Sequence, residues 1–216
     1  MSGSFFCIMR IDESESATYN NDIPIDKKER VMEVKRSPIF HDFDTGLVSE
    51  QMETSTKLYG DAVSFYADKD QNLPPDTLMY TVACINDPDR AEGHLNWGVS
   101  MLEPVCVCGE CNMTRGHFHS DLNCQEYYWC AKGSGLLMLM DEKGKCWCEQ
   151  MEPGTLHKID GHHAHRLINT GEERLDVICV WNSNAGHDYA RVEAMPFPVR
   201  VYKEDGEVIF KEGGNE

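Results

Sequence analysis

Two histidines stand one residue apart in Gly116-His117-Phe118-His119, and Glu126 follows seven residues after the second. On an extended chain, positions i and i+2 point to the same side, so both imidazoles of such a pair reach one point. A carboxylate returning from the next turn completes a clasp for a divalent cation, and His165 is the third histidine the scaffold would bring there. Three imidazoles and a carboxylate (His117, His119, Glu126, His165) suit Fe(II), Mn(II), Zn(II) or Ni(II), and they leave coordination positions open for a further ligand. His162 and His163 lie close to His165 in the chain; they read as loop histidines or hydrogen-bond partners of the ligands.

Holding such a clasp requires a rigid frame, and the pattern from Leu78 onward supplies one. Leu78 to Cys84, Leu95 to Leu102, Val105 to Cys108, Glu126 to Ala131, Leu136 to Met140, Lys145 to Met151, Thr155 to Ile159 and Leu175 to Asn182 are short strand-like runs. Turn signals separate them, among them Gly133-Ser134-Gly135, Asp141-Glu142-Lys143-Gly144 and Glu152-Pro153-Gly154. Val199 to Tyr202 and Val208 to Phe210 flank Asp205-Gly206 as a closing hairpin. Regular short strands with this punctuation predict an all-β sandwich or barrel over residues 78–216. Residues 39–77 predict strands and a helix packing on that barrel. Ser49 to Leu58 reads as the helix, with Ser49 as N-cap and Glu50 and Glu53 in the first turn, and Val63 to Tyr66 reads as a strand or helix end. Residues 1–38 read as an acidic, flexible arm in which Asp26 to Met32 begins a short helix.

The chain has 216 residues and a formal net charge of -17, which argues against general nucleic-acid binding because a phosphate backbone needs a basic surface. Leu136 to Met140 is far shorter than the ~20 apolar residues of a membrane-spanning helix. The apolar patch Phe5 to Met9 lacks a basic leader and turns acidic at Asp12, so no secretion signal is read and the expectation is a cytoplasmic protein. The ten cysteines include a Cys108-Gly109-Glu110-Cys111 pair without a matching second pair, so they are expected as reduced thiols serving as small apolar side chains.

The spacings sharpen the fold class. His117-x-His119, then Glu126 followed by six residues and Gly133, resembles the first cupin motif. Gly154, then five residues, Asp160-Gly161-His162, two residues, His165, three residues and Asn169 resembles the second, with Asp160 and His162 in place of its internal proline and glycine. A cupin double-stranded β-helix, a jelly-roll barrel, is therefore expected. Thr114 to His119, Glu126-Tyr127-Tyr128, Met151 to Thr155, Ala164-His165-Arg166 with Asn169-Thr170-Gly171, and Ala185-Gly186-His187-Asp188-Tyr189 together resemble the cupin-type (archaeal-type) glucose-6-phosphate isomerase family.

That resemblance implies interconversion of glucose 6-phosphate and fructose 6-phosphate with one divalent metal per subunit, Fe(II) favoured. It implies Glu126, His165 and Tyr128 as catalytic residues, Glu126 being both a metal neighbour and the base. It implies Ser100, Thr114, Gly116, Tyr128, His187 and Trp181 on the substrate and its phosphate, with Ser100 standing where threonine is expected. Arg115 and Lys132 add positive charge close to the motif. Trp181 stands where the family usually has tyrosine, and an indole donates a hydrogen bond but does not exchange a proton. Another metal cupin acting on a different sugar phosphate, or a noncatalytic sugar-binding cupin, remains the alternative. A homodimer with no nucleic-acid or membrane partner is expected.

Overall fold

The computed structural model describes residues 23–25, 30–32, 35–49 and 51–213. The chain divides into Met1–Ile39 and Phe40–Glu216. In the first unit, β1 (Ile23–Ile25) pairs antiparallel with β2 (Arg30–Met32). The helix expected over Asp26 to Met32 is thus replaced by a strand at its far end. Residues 26–29 and most of the expected arm lie outside the described residues.

The second unit is mostly β and has the cupin fold. In chain order it contains β3 (Phe40–Asp42), β4 (Gly46–Val48), β5 (Glu53–Leu58), α1 (Tyr59–Ala62), β6 (Leu78–Ile85), β7 (Leu95–Leu102), β8 (Cys106–Val107), β9 (Glu110–Cys111) and β10 (Glu126–Lys132). There follow β11 (Gly135–Met140), β12 (Cys146–Met151), β13 (Leu156–Ile159), β14 (Ala164–Asn169), β15 (Leu175–Asn182), α2 (Tyr189–Ala194), β16 (Val199–Glu204) and β17 (Glu207–Glu212). A six-stranded sheet in the order β13-β10-β15-β7-β6-β5 faces a three-stranded sheet, β12-β11-β14, and the closing hairpin joins β9 and β8 in a third.

The helix expected from Ser49 to Leu58 is not formed. Glu53–Leu58 is β5, paired with β6 from Glu53↔Cys84 to Leu58↔Leu78. Its Thr54 and Thr56 are β-branched and suit a pleated ribbon, and the waiting edge of β6 outweighs the local N-cap signal. Val63–Phe65 is a turn of 3-10 helix after α1, the helix-end alternative. Three elements after Leu78 had no counterpart in the strand pattern: β9, β14, which carries His165, and α2.

Alternation governs β10 and β13 of the main sheet. Glu126, Tyr128 and Cys130 of β10 are buried, while Tyr127 and Trp129 are 43% and 38% exposed on the outer face. Strand β11 is buried on both faces. Leu137 and Leu139 join Tyr128, Cys130, Val177 and Leu167 between the sheets, whereas Met138 and Met140 pack with Phe118, Met113 and Phe197 on the far side. An uninterrupted apolar run is what a strand covered on both faces requires. Each fully buried leucine there contributes about 1.5–3 kcal/mol.

Two motif residues serve this packing. Asn169 is buried; its amide donates to Leu102 O and Glu173 O, both at 2.9 Å, and its oxygen accepts from Gly171 N. It ties β14 to the end of β7. Gly133 turns β10 into β11 at φ +78°, and a Cβ there would lie 2.5 Å from Arg174 O. Only glycine meets both demands.

Candidate metal centre

The segment before β10 runs alongside β14 and sets the site. Thr114 N donates to Leu167 O, His117 N to His165 O and His165 N to His117 O, so the first and third histidines lie directly opposite each other. Their ring centroids are 4.4 Å apart. Extended geometry turns His119 to the same side as His117. Glu126 opens β10, between Ile159 of β13 and Trp181 of β15. One donor atom from each of His117, His119, Glu126 and His165 lies within 4.8 Å of the other three.

The hydrogen bonds behind the rings set their tautomers. His119 Nδ1 lies 3.1 Å from Cys124 O and His165 Nδ1 lies 3.3 Å from His163 O. A carbonyl only accepts, so each Nδ1 carries a proton and each ring turns its Nε2 inward. Both Nε2 atoms lie 3.2 Å from Glu126 Oε2. His165 Nε2 is nevertheless buried without a hydrogen-bond partner. Such a nitrogen facing a carboxylate in a buried place is favourable only with positive charge between them, a proton or a cation. The donor set, its spacing and this orphaned nitrogen fit a divalent cation.

The electrostatics agree. Burial opposes ionisation of Glu126, but His119 and His165 outweigh it and hold its carboxyl down at about 2. Burial likewise opposes protonation of His119, but the bond to Glu126 raises its pKa. Burial, then the neighbouring imidazoles of His165, His187 and His119, push His117 well below its ordinary value, so its ring is neutral. Burial and then the Glu126 charge push the Tyr128 phenol well above its ordinary value.

Three of the four donors line a cavity of about 480 Å³. Ser100, Thr114, Gly116, Tyr128, Trp181 and His187 all line it, as do His117, Glu126 and His165. His119 is 2% exposed and stands behind them. Thr114 Oγ1 accepts from Leu167 N at 3.0 Å, which leaves the hydroxyl proton free to donate. Arg115 also lines the cavity, pairs with Glu193 and lies 4.4 Å over the Tyr189 ring.

Lys132 does not line the cavity. It ends the strand that Glu126 begins, six residues and roughly 20 Å away at ~3.3 Å per residue. His162 hydrogen-bonds Glu142 and His163 packs edge-on against Trp147, both away from the four donors. The sequence reading missed Tyr80, Lys57 and Tyr189 as cavity residues. Tyr189 stacks on His187 with planes 7° apart; its i, i+2 spacing from His187, like that of the first pair, was the available signal. No helix among the described residues is long and apolar enough to cross a membrane.

Against this geometry stand the likenesses to known proteins. A family model described as "Glucose-6-phosphate isomerase (GPI)" matches residues 61–215. A protein of Thermococcus kodakarensis named glucose-6-phosphate isomerase is 34% identical over 182 residues, covering 82% of this chain and 95% of its own. One of Thermococcus litoralis with the same name is 33% identical over 175 residues, covering 79% and 91%. A bacterial one from Sinorhizobium medicae is 29% identical, covering 79% and 78%.

Proposed function

The chain belongs to the glucose-6-phosphate isomerase family, and from that premise we propose that it interconverts glucose 6-phosphate and fructose 6-phosphate around one divalent cation. His117, His119, Glu126 and His165 would hold the cation, Fe(II) being the favoured occupant. The reading is carried by the buried, unpartnered Nε2 of His165, facing Glu126 beneath a cavity whose wall also carries Thr114 and Gly116.

Aldose–ketose exchange moves one hydrogen between C1 and C2 while negative charge develops on the oxygens of both carbons. A cation supplies Lewis acidity toward those oxygens and lowers the cost of that charge. Glu126 is ionised at neutral pH; its carboxylate takes the proton from one carbon and returns it to the other. His165 sets the orientation of that carboxylate from 3.2 Å. Tyr128 stays protonated beside Glu126 and donates to a substrate oxygen. Ser100, the Thr114 hydroxyl, the Gly116 N–H and His187 hold the phosphate. Trp181, in register with Glu126, walls the reacting end and donates through its indole N–H.

The test is the conversion of fructose 6-phosphate, coupled to a glucose-6-phosphate dehydrogenase, before and after chelation and with Fe(II), Mn(II), Zn(II) or Ni(II) restored. Activity lost on chelation and regained with metal is expected; no turnover by metal-loaded protein overturns the proposal. Trp181 in place of tyrosine favours a second reading, a different sugar phosphate, which is tested by incubating metal-loaded protein with mannose or ribose phosphates and following the ketose product directly.

We also infer a homodimer through the outer face of the six-stranded sheet. Leu156 is 65% exposed there, in register with Trp129, and Tyr127 is exposed on the same strand. Light scattering on the purified protein reads its mass: two chains are expected, and a monomer at micromolar concentration refutes the inference.

A further inference from the structure

Behind the cavity wall one half-buried guanidinium stands against the backbone of the Thr114–His117 segment. Arg166 Nη2 donates to Arg115 O at 3.1 Å, and Nη1 lies 3.0 Å from Met113 Sδ. Its guanidinium carbon is 4.1 Å over the Phe197 ring. Its Nε is buried and without a hydrogen-bond partner. The nearby carboxylate of Glu110 is occupied by Arg200 at 2.8 Å and by Ala67 N at 2.8 Å. The Arg166 cation therefore has no ion pair among the described residues.

Peptide planarity gives this contact a consequence. The Arg115–Gly116 bond is trans, so the Gly116 N–H points opposite to the Arg115 carbonyl. The carbonyl is held on the Arg166 side, which leaves the N–H facing the cavity that Gly116 lines. The N–H groups of Thr114 and His117 on either side are consumed by β14, whereas that of Gly116 makes no hydrogen bond among the described residues. Gly116 itself has φ +80°, and a Cβ there would lie 2.9 Å from Phe197 Cε2 and 3.2 Å from Arg166 Cβ and Nε. The backbone thus sits directly on the Arg166–Phe197 stack.

We propose that Arg166 is a positioning residue which turns the Gly116 N–H toward the phosphate of the substrate and places an uncompensated positive charge behind it. The inference rests on the reading above that Gly116 faces phosphate. A peptide N–H aimed at an anion, backed by a half-buried cation already held by its neighbours, is a stronger site than a surface lysine because neither group must be ordered on binding.

The test compares wild type, Arg166→Met, Arg166→Lys and Thr114→Ala by KM for fructose 6-phosphate, competitive inhibition by inorganic phosphate, kcat and bound metal. Arg166→Met should raise KM and the phosphate inhibition constant about 10-fold or more, with kcat within about 3-fold and metal content unchanged. Arg166→Lys keeps the charge without the planar fork, and should raise both about 3-fold. If Arg166→Met does not fold, the lysine variant decides alone. Phosphate binding within about 2-fold of wild type in the Arg166 variants, while Thr114→Ala weakens it, overturns the positioning role alone. A fall in kcat or metal content in step with the loss of phosphate affinity assigns Arg166 to packing and also overturns it. If phosphate does not inhibit wild type and Thr114→Ala leaves KM unchanged, the phosphate assignment itself fails and this inference falls with it.

Discussion

Glu126→Gln keeps the shape of the side chain at the centre of the site and removes its charge. The surroundings hold the Glu126 carboxyl at about 2, against an ordinary 4.5. That difference corresponds to about 3 kcal/mol of preference for the carboxylate. Glutamine forfeits it, since an amide neither balances a cation nor accepts a proton from carbon. Metal affinity should fall by at least the roughly 10–100-fold that loss of a mere hydrogen-bond partner of a ligand costs, because a charged ligand itself is lost. At saturating metal, kcat should fall about 10²–10⁴-fold from the lost proton transfer. The coupled assay gives kcat, elemental analysis gives metal per chain, and turnover in deuterium oxide reports exchange of the transferred hydrogen with solvent. A fully loaded Glu126→Gln protein with kcat within threefold of wild type, or full turnover with no solvent deuterium in the product, would refute the proton-shuttle reasoning.

Three further outcomes follow from particular contacts. Gly133→Ala forces a Cβ to 2.5 Å from Arg174 O at a positive φ; it should cost about 2–3 kcal/mol and lower Tm by roughly 5–10 °C, whereas a shift under 1 °C in differential scanning fluorimetry would show that the turn relaxes freely. Lys132→Ala should leave KM for fructose 6-phosphate within twofold of wild type because the side chain is outside the cavity; a tenfold rise would contradict the strand geometry. The folded pKa of Glu126 is depressed, so its contribution to stability is complete above about pH 4.5 and is lost as pH falls toward 2. Metal-free wild type should lose its stability advantage over metal-free Glu126→Gln across that window in urea titrations, and parallel curves would argue against the ion-pair account.

The strand pattern from Leu78 was legible because runs of residues suited to a pleated surface stand between turn signals, although burial alternates only along β10 and β13 of these strands; β15 begins and ends at Leu175 and Asn182 as read from the sequence. The HxH pair, Glu126 and His165 were legible because ligand types recur at spacings that a pleated chain can bring together. What failed did so where a tertiary neighbour decides. Ser49 and Glu53 imitate a helix start, but β6 offers an edge that converts Glu53–Leu58 into a strand. Ala164–Asn169 mixes histidine, arginine and apolar residues without alternation, because one neighbour is β11 and the other is the irregular segment carrying His117. Lys132 looked close to the motif in sequence, yet six steps along an extended strand carry it out of reach. Tyr80 and Lys57 enter the cavity from β6 and β5, far from any motif, and no spacing announced them.

The four donor side chains come from different layers. Glu126 belongs to the six-stranded sheet, His165 to the three-stranded one, and the HxH pair to the segment linking them. An occupant of that point would act as a rivet through the stacked sheets, resisting shear between them. Metal loading should then appear in slowed amide exchange at β10 and β14 together, and in a resistance to unfolding that tracks the cation supply even when no sugar is present.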